Sequence, residues 1–309
     1  AYSTGYSDQV SGDTNGVTDI LVRNLSTGTI TRANTDASGA QATGGGSTNP
    51  VFSANGAKIG FESSATNLVA GDSNGQQDLF VKTLNGNAIV RVNTNAAGEQ
   101  AMGGGSSGLA FSTDGGKVIF TSSATNLVAD DTNGMSDIFV KDLVSGAITR
   151  VNTNSAGEQA TGSSSGGTLS ADGTKVLFAS SATNLVRGDT NGQMDLFVKD
   201  LITGVVTRVN TTAGGLQATG GTSSGASFSP DGTKVLFSSS ATNLVSGDTN
   251  GQQDVFLKDL VTGAVSRLNT NDLNTQATGG GSSSASFSPD GTRVIFTSAA
   301  INLVTGDSN

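Results

Sequence analysis

One seven-residue run recurs along this sequence at a nearly constant interval. Asp72-Ser-Asn-Gly-Gln-Gln-Asp78 returns at 131–137, 189–195 and 248–254, and an earlier copy stands at 13–19. Its first Asp advances by 59, 59, 58 and 59 residues, and a truncated sixth copy begins at Asp307. The one missing residue falls between Glu158 and Leu169, in a Gly/Ser stretch where a loop tolerates deletion. A fixed period of this length confines the chain to architectures that copy one supersecondary unit and stack the copies.

One unit is legible between Gly225 and Ser284. Ala226-Ser-Phe-Ser229 predicts a short first strand, closed by a Pro230-Asp-Gly232 turn, and Lys234-Val-Leu-Phe-Ser238 predicts a second. A longer connection, 240–247, runs into the Asp/Asn turn. Asp254-Val-Phe-Leu-Lys258 predicts a third strand, Thr262-Gly263 a tight turn and Ala264-Val-Ser-Arg-Leu268 a fourth. Four antiparallel strands, the first lined with small residues, make a propeller blade, whose inner strands crowd near an axis. First halves of the unit begin at Phe52, Phe111, Leu169, Phe228 and Phe287, and second halves at Asp19, Asp78, Asp137, Asp195 and Asp254. The chain therefore opens on a second half and closes on a first half. The expectation is an all-β, five-bladed β-propeller over 1–309, a single domain. Its closing blade is built from 285–309 plus 1–33, so pairing of N- and C-terminal strands removes exposed sheet edges. A solenoid gives no reason for complementary halves.

Composition narrows the chemistry. Only 13% of residues are charged and the net charge is −9, yet Val, Ile, Leu and Phe recur in short, evenly spaced runs that a disordered chain lacks. No apolar run approaches the roughly 20 residues that span a bilayer, and residues 1–10 do not read as a signal peptide. The acidic balance disfavours nucleic acid, whose phosphates call for Lys and Arg. With no Cys and no His, thiolate nucleophiles, disulfides and the commonest general base are excluded.

The Ser-Pro-Asp-Gly turn at 229–232 and 288–291 resembles the signature of WD40-like repeats in bacterial TolB-type propellers. Looser forms are Ser112-Thr-Asp-Gly115, Ser170-Ala-Asp-Gly173 and Ser53-Ala-Asn-Gly56. The resemblance covers essentially the whole chain and implies a propeller rather than one activity. The repeat here is longer than that family's usual unit, and five blades replace the more common six. The Asp-x-Asn-Gly-x-x-Asp run is similar to the calcium loops of integrin-type propeller repeats, shorter by two residues.

Calcium takes six to eight oxygen ligands at roughly 2.3–2.6 Å. Each loop offers two carboxylates and an amide: Asp13, Asn15 and Asp19; Asp72, Asn74 and Asp78; Asp131, Asn133 and Asp137; Asp189, Asn191 and Asp195; Asp248, Asn250 and Asp254. One reading makes these structural Ca²⁺ sites. The competing reading makes Asp and Asn caps of a turn, bonding their own backbone; it accounts less well for the second Asp, which opens a strand, where Asp is depleted.

Fifteen of the 16 Lys and Arg fall in three repeated slots, typified by Arg267, Lys234 and Lys258, and are expected on solvated strand faces. All 13 Phe fall in three slots that read as core. The Asp/Asn loops and the Gln-Ala-Thr-Gly-Gly linkers share one end of the blades, the expected binding face. There Gln41, Gln100, Gln159, Gln217 and Gln276 read either as ligand contacts or as inter-blade hydrogen bonds. Acids outside the repeated turns are few: Glu62, Glu99, Asp130, Glu158 and Asp272. No Ser/His/Asp set or phosphate fingerprint occurs. The expectation is a non-enzymatic, monomeric binding or scaffold module, extracellular, cell-surface or periplasmic in a bacterium, with a protein or glycan partner, no nucleic acid and no membrane span. The alternative is a carbohydrate-active or lectin-like domain.

Overall fold

The computed structural model describes residues 1–6 and 8–306. Those residues form 21 β-strands and no α-helix, in two compact units, Ala1–Val151 and Asn152–Asn309. In the first unit, β1 (Tyr2–Thr4), β2 (Asp19–Arg23) and β3 (Ile30–Arg32) make a three-stranded sheet. Two four-stranded sheets follow: β4 (Ser47–Phe52), β5 (Lys58–Ser63), β6 (Asp78–Thr83) and β7 (Ile89–Arg91); then β8 (Ser106–Phe111), β9 (Lys117–Ser122), β10 (Asp137–Asp142) and β11 (Ile148–Arg150). The second unit holds two more. They are β12 (Ser164–Leu169), β13 (Lys175–Ser180), β14 (Asp195–Asp200) and β15 (Val206–Arg208), then β16 (Ser223–Phe228), β17 (Lys234–Ser239), β18 (Asp254–Asp259) and β19 (Val265–Arg267). A two-stranded sheet of β20 (Ser282–Phe287) and β21 (Val294–Ser298) completes it.

Every pairing is antiparallel and consecutive, and the register repeats: Ser63 faces Asp78 and Phe61 faces Phe80, as Ser239 faces Asp254 and Phe237 faces Phe256. The two middle strands are the most buried because their alternate residues are apolar on both faces, as in Val235, Phe237, Val255 and Phe256, all at 0% exposure. In each complete sheet the two central Phe rings stack with centroids 5.7 Å apart, a geometry that adds to burial. The first strands begin earlier than expected, at a Ser followed by Ser or Thr in the linker, and each slips register two residues in. At the slip the backbone turns left-handed, at Gly108, Gly166 and Gly225 but also at Asn49 and Ser284 (φ 53° for both). Small residues are needed there for conformation.

The Ser-Pro-Asp-Gly turn closes itself. Ser229 Oγ donates to Asp231 Oδ1 (2.5 Å) and accepts from Lys234 N (2.9 Å), while Thr233 N donates to Asp231 Oδ1 (3.1 Å). These donors, the Ser229 hydroxyl first, pull the Asp231 carboxyl down to about 2, and the same arrangement acts on Asp172 and Asp290.

Among the described residues the first and last strands of the chain lie in separate sheets. Both edges of β2 are taken, by β1 and β3, and β21 pairs with β20 alone among the described residues. Thr4 faces Asp19 as Ser63 faces Asp78, so Tyr2–Thr4 stands in the second-strand slot. A strand from the same stretch of chain closes a far shorter loop than one from residue 294 onwards, which lowers the entropy cost of pairing.

One boundary between sheets breaks the repeat. Gly60 occupies the slot of Ile119, Leu177 and Leu236, and a Cβ there would run into Leu109 Cδ2, with Phe111 Cε2 at 3.2 Å. Leu109 in turn stands where the other first strands carry Pro50, Gly167, Ala226 and Ala285. The large residue has moved across the boundary. Gly60→Ile should therefore overpack, destabilising the fold by about 1–3 kcal/mol, and Leu109→Ala should restore part of that loss. Urea unfolding of the two single variants and the double variant measures the coupling, and strictly additive effects would show that the two sites do not fill one space.

Candidate functional site

The Asp/Asn loop folds first as a turn. Asn74 Oδ1 accepts Gln76 N (2.9 Å), as Asn15 accepts Val17 N, Asn133 Met135 N, Asn191 Gln193 N and Asn250 Gln252 N. The next residue, Gly75 in this copy, is left-handed (φ 64°), which ends the turn without strain. The amide nitrogen of Asn74 points inward, to Asp78 Oδ1 (3.2 Å) and to Ala101 O (3.0 Å). The Asn thus presents its oxygen to its own backbone and its donors to the loop interior.

The two carboxylates of each loop are brought together, and the group between them is a guanidinium. Arg91 NH1 lies 3.2 Å from Asp72 Oδ1 and 2.9 Å from Asp78 Oδ2. Arg32 links Asp13 and Asp19, Arg150 links Asp131 and Asp137, Arg208 links Asp189 and Asp195, and Arg267 links Asp248 and Asp254, within 2.7–3.6 Å. The arginine side chains are 7–10% exposed. They were expected on a solvated strand face. The correction has a simple cause: β7 and its equivalents lie beside the third strand, so an Arg there reaches both ends of the loop.

The second Asp explains its strand-opening position. Asp78 is fully buried, and its Oδ1 accepts Asn93 Nδ2 at 2.7 Å. Asn93 Oδ1 accepts Leu79 N, and its Nδ2 also reaches Ser106 Oγ, which donates to Ser122 Oγ. Asn34 relays Asp19 to Ser47 and Ser63 in the same way, while Asn210 and Asn269 bond Asp195 and Asp254 at 2.6 and 2.5 Å. In the first unit the relay crosses from one sheet to the next. These asparagines were missed. Their signal is Arg-x-Asn-Thr, repeated at 32–35, 91–94, 150–153, 208–211 and 267–270, which reads on its own as the polar end of a strand.

The third-strand lysines are also corrected from solvated to buried. Lys82 is 2% exposed, and its ammonium donates to Thr35 O, Thr35 Oγ1 and Asp36 O of the preceding repeat. Lys141, Lys199 and Lys258 repeat the clamp on Thr94, Thr153 and Thr211. Burial pushes all four ammonium groups below their ordinary range, with Asp36 opposing that at Lys82. Gln41, Gln100, Gln217 and Gln276 turn their side chains onto their own loop. Gln41 Nε2 donates to Thr14 Oγ1, Gln100 Nε2 to Ser73 Oγ, and Gln217 and Gln276 to Asp189 and Asp248.

The donor set is a poor fit to calcium. The amide oxygen meant to ligate is held by a backbone N–H, and the carboxylates already face one full positive charge. Among the described residues no three His, Cys, Asp or Glu side chains converge. Glu62, the one buried acid outside the repeated slots (4% exposed), accepts from Asn49 Nδ2, Gln77 Nε2 and Gly108 N.

With the geometry in place, comparison with known proteins adds the fold and little else. No protein-family model matches the sequence, and no curated protein matches it. Among solved structures, a Bacteroides ovatus protein assigned as a dipeptidyl aminopeptidase IV is similar at a TM-score of 0.53 and 10% identity, over 90% of this chain and 43% of that one. An Agrobacterium tumefaciens protein assigned as TolB gives 0.47 at 19% identity, over 88% and 78%. The β-propeller domain of the Trilobed protease of Pyrococcus furiosus gives 0.41 at 13%, over 72% and 57%. Less than half of the aminopeptidase is covered, and identity this low speaks to fold alone.

The two aspartates of a loop should respond oppositely to neutralisation. Asp72, Asp189 and Asp248 are held above the ordinary carboxylate range, first by burial and then by repulsion from the second Asp, against the opposing pull of the Arg. A raised folded-state value means that this stabilisation is complete below the unfolded value near 3.8 and lost as pH rises through the folded value. Asp248→Asn should therefore leave stability at pH 7 unchanged or slightly higher. Asp254→Asn removes the fully buried partner of Arg267 and Asn269 and should cost about 3–5 kcal/mol. Chemical denaturation of both variants at pH 4 and pH 7 distinguishes them, and equal losses would contradict the asymmetry.

Proposed function

We propose that this chain is a non-catalytic binding or scaffold module, a five-bladed β-propeller whose two partial sheets join in one blade, with arginine rather than calcium at the centre of each loop. What carries the reading is that each complete repeat uses its recurring charged and amide side chains on its own packing. The fourth-strand Arg, the third-strand Lys, both loop Asp and the two Asn are engaged internally, so these repeated groups hold the packing and are not poised for chemistry. Glu62, the acid a carbohydrate-active alternative would need, has its oxygens occupied by amides and a backbone N–H. A protein or glycan partner would meet the end of the blades that carries the loops and linkers, where connections are longest and most polar. A secreted or periplasmic setting is the one implied by the resemblance of the Ser-Pro-Asp-Gly turns to bacterial TolB-type repeats.

Closure into one blade is supported by matching exposures on the two partial sheets. In complete repeats the residue after the third strand docks under the second: Leu84 N donates to Ala57 O and Leu260 N to Thr233 O. Its equivalent Leu25 is 92% exposed, and Thr292 is the equivalent of Thr233. Arg23, in the slot of the clamping lysines, is exposed as well. On the other side, Ile295 is 71% exposed, and Val294 and Phe296 line a cavity of about 490 Å³ with Leu257 and Leu268. A strand of the pattern Asp-Ile-Leu-Val-Arg would cover that edge as β18 covers β17.

Two measurements test the proposal. Thermal melting with millimolar calcium and with chelator should give the same midpoint; a chelator-dependent fall of several degrees would return the loops to calcium. Cysteines at Ile295→Cys and Val22→Cys, in the register that β17 and β18 show, should form an intramolecular disulfide under mild oxidation, because facing Cα atoms in such a pair lie about 4.5–5.5 Å apart. Failure to cross-link in folded protein would remove the ring. A glycan array and a polysaccharide hydrolysis panel then address function: binding without turnover is expected, and turnover abolished by Glu62→Gln would make the chain an enzyme.

A further inference from the structure

We infer that Glu62 is the centre of a binding site for a primary ammonium, the side-chain head of a lysine on a protein partner, at the loop end of the first unit. The inference rests on the binding reading above and names one point of that surface. Glu62 stands near the end of β5, opposite Thr48 and Leu79. Its slot carries Thr121, Ala179 and Ser238 in the other complete repeats. Its Oε2 accepts Asn49 Nδ2 at 2.9 Å and also Gln77 Nε2, and its Oε1 accepts Gly108 N at 2.9 Å. Asn49 is equally out of pattern, since the register slip places Gly108, Gly166 and Gly225 in its slot. With Gly60 and Leu109, these departures from the repeat meet at one boundary inside the first unit. A single site in a chain of near-identical units has to be built from such departures.

What singles out Glu62 is its counter-charge. The other buried carboxylates among the described residues, Asp19, Asp78, Asp137, Asp189, Asp195 and Asp254, each meet an arginine at 2.7–3.4 Å. Glu62, 4% exposed, meets three neutral donors instead. A buried carboxylate without a cation is costly, and holding Gly108 N and two amides calls for no charge, because the oxygen of a Gln accepts as well. The charge is surplus to packing and open to a ligand. Its cover is removable, for Asn49 and Gln77 are both exposed. A half-turn of each terminal amide exchanges its NH2 for its oxygen. Glu62 Oε2, Asn49 Oδ1 and Gln77 Oε1 then face one point, three acceptors for the three N–H donors of an ammonium. A guanidinium fits less well, since its fork seeks both carboxylate oxygens and Gly108 N already occupies Oε1. Depth selects the source. The slender apolar stem of a lysine passes between two side chains to a nearly buried oxygen, whereas an amino group borne directly on a sugar ring does not.

The test is a titration of the full chain, followed at the Gly108 amide resonance, with Nα-acetyl-lysine methylamide as probe and its arginine and norleucine counterparts as controls. The lysine probe should give a saturable shift, the arginine probe a weaker one and the norleucine probe none. Glu62→Gln should weaken the lysine probe about tenfold or more, the strength of one hydrogen bond to a charged group. Its urea midpoint should stay at or above that of the parent, because an unmatched charge has gone. Asn49→Gly keeps the left-handed backbone of that slot and should weaken the probe several-fold. Parental affinity in both variants, or no shift from any probe, overturns the site. A lowered midpoint in Glu62→Gln makes Glu62 a packing residue and overturns it as well. Methyl glucosaminide bound as tightly as the lysine probe moves the source to a glycan and overturns the lysine assignment. An array ligand that binds parent and Glu62→Gln alike overturns this site and leaves the binding reading standing, whereas turnover abolished by Glu62→Gln overturns both.

Discussion

The buried Asp at the start of each third strand is the group on which the repeat depends. Asp78 and its equivalents are 0–1% exposed, and a carboxylate taken so far from water survives only if its oxygens are filled and its charge is met. Three neighbours satisfy those demands. The arginine of the fourth strand meets the charge, the asparagine two residues later donates to one oxygen, and the loop asparagine approaches it from above. Because each donor comes from a different segment, satisfying one carboxylate fixes the loop, the fourth strand and the linker relative to the third strand. In the first unit, Asn93 and Ser106 carry the same network to the first strand of the next sheet. The lysine clamp ties successive repeats through backbone carbonyls. Polar contacts therefore set the geometry between repeats, and stacked Phe pairs and aliphatic side chains fill the space that geometry leaves.

Such a division suits a chain poor in large residues. With 44 glycines and 5% aromatic residues, the first strands have few large side chains with which to specify their neighbours, and apolar surface alone would hold them in many registers. Hydrogen bonds are directional, and a fully satisfied buried network selects one arrangement. The cost is rigidity at every loop: a residue occupied in holding Asp78 is not free to bind a ligand. The same constraint accounts for the absence of an obvious site among the repeated positions and leaves function to whatever differs between repeats.

Much of this was legible in the residues and some was not, for reasons that can be located. Strand order within each complete repeat and the Phe slots of the two middle strands follow from period and alternation, since both are properties of neighbours in sequence; the first-strand Phe slot, also expected in the core, is only partly buried, with Phe52 40% exposed. The Asp-Gly turns follow because Ser229, Asp231 and Lys234 act within six residues. The arginine and lysine slots were misread because their partners lie elsewhere: Arg91 meets Asp78 thirteen residues back, and Lys82 meets Thr35 forty-seven residues back. A charged residue on an alternating strand looks solvated unless the neighbouring repeat is already in view. The calcium reading left the arginine out of view for a related reason. Two carboxylates and an amide in seven residues are the donors a metal loop needs, and equally the acceptors a guanidinium needs; only the strand beside them decides which. That an Arg accompanies every loop at a constant spacing was the unread signal.

Near-identity of the repeats makes their order along the chain a problem of its own, because any second strand could pair with any third. The chain answers it in two ways. Between the second and third sheets, Gly60 and Leu109 exchange bulk across the boundary, and Glu62 accepts Gly108 N from the next first strand, so those sheets fit each other and no others equally well. At β2 the answer is different. Its edge carries the common pairing code and is met by whichever strand with that code is nearest, which in this structure is Tyr2–Thr4. Repetition that makes a fold easy to specify also lets a short segment such as Tyr2–Thr4 use the common code, with Thr4 facing Asp19 as Ser63 faces Asp78.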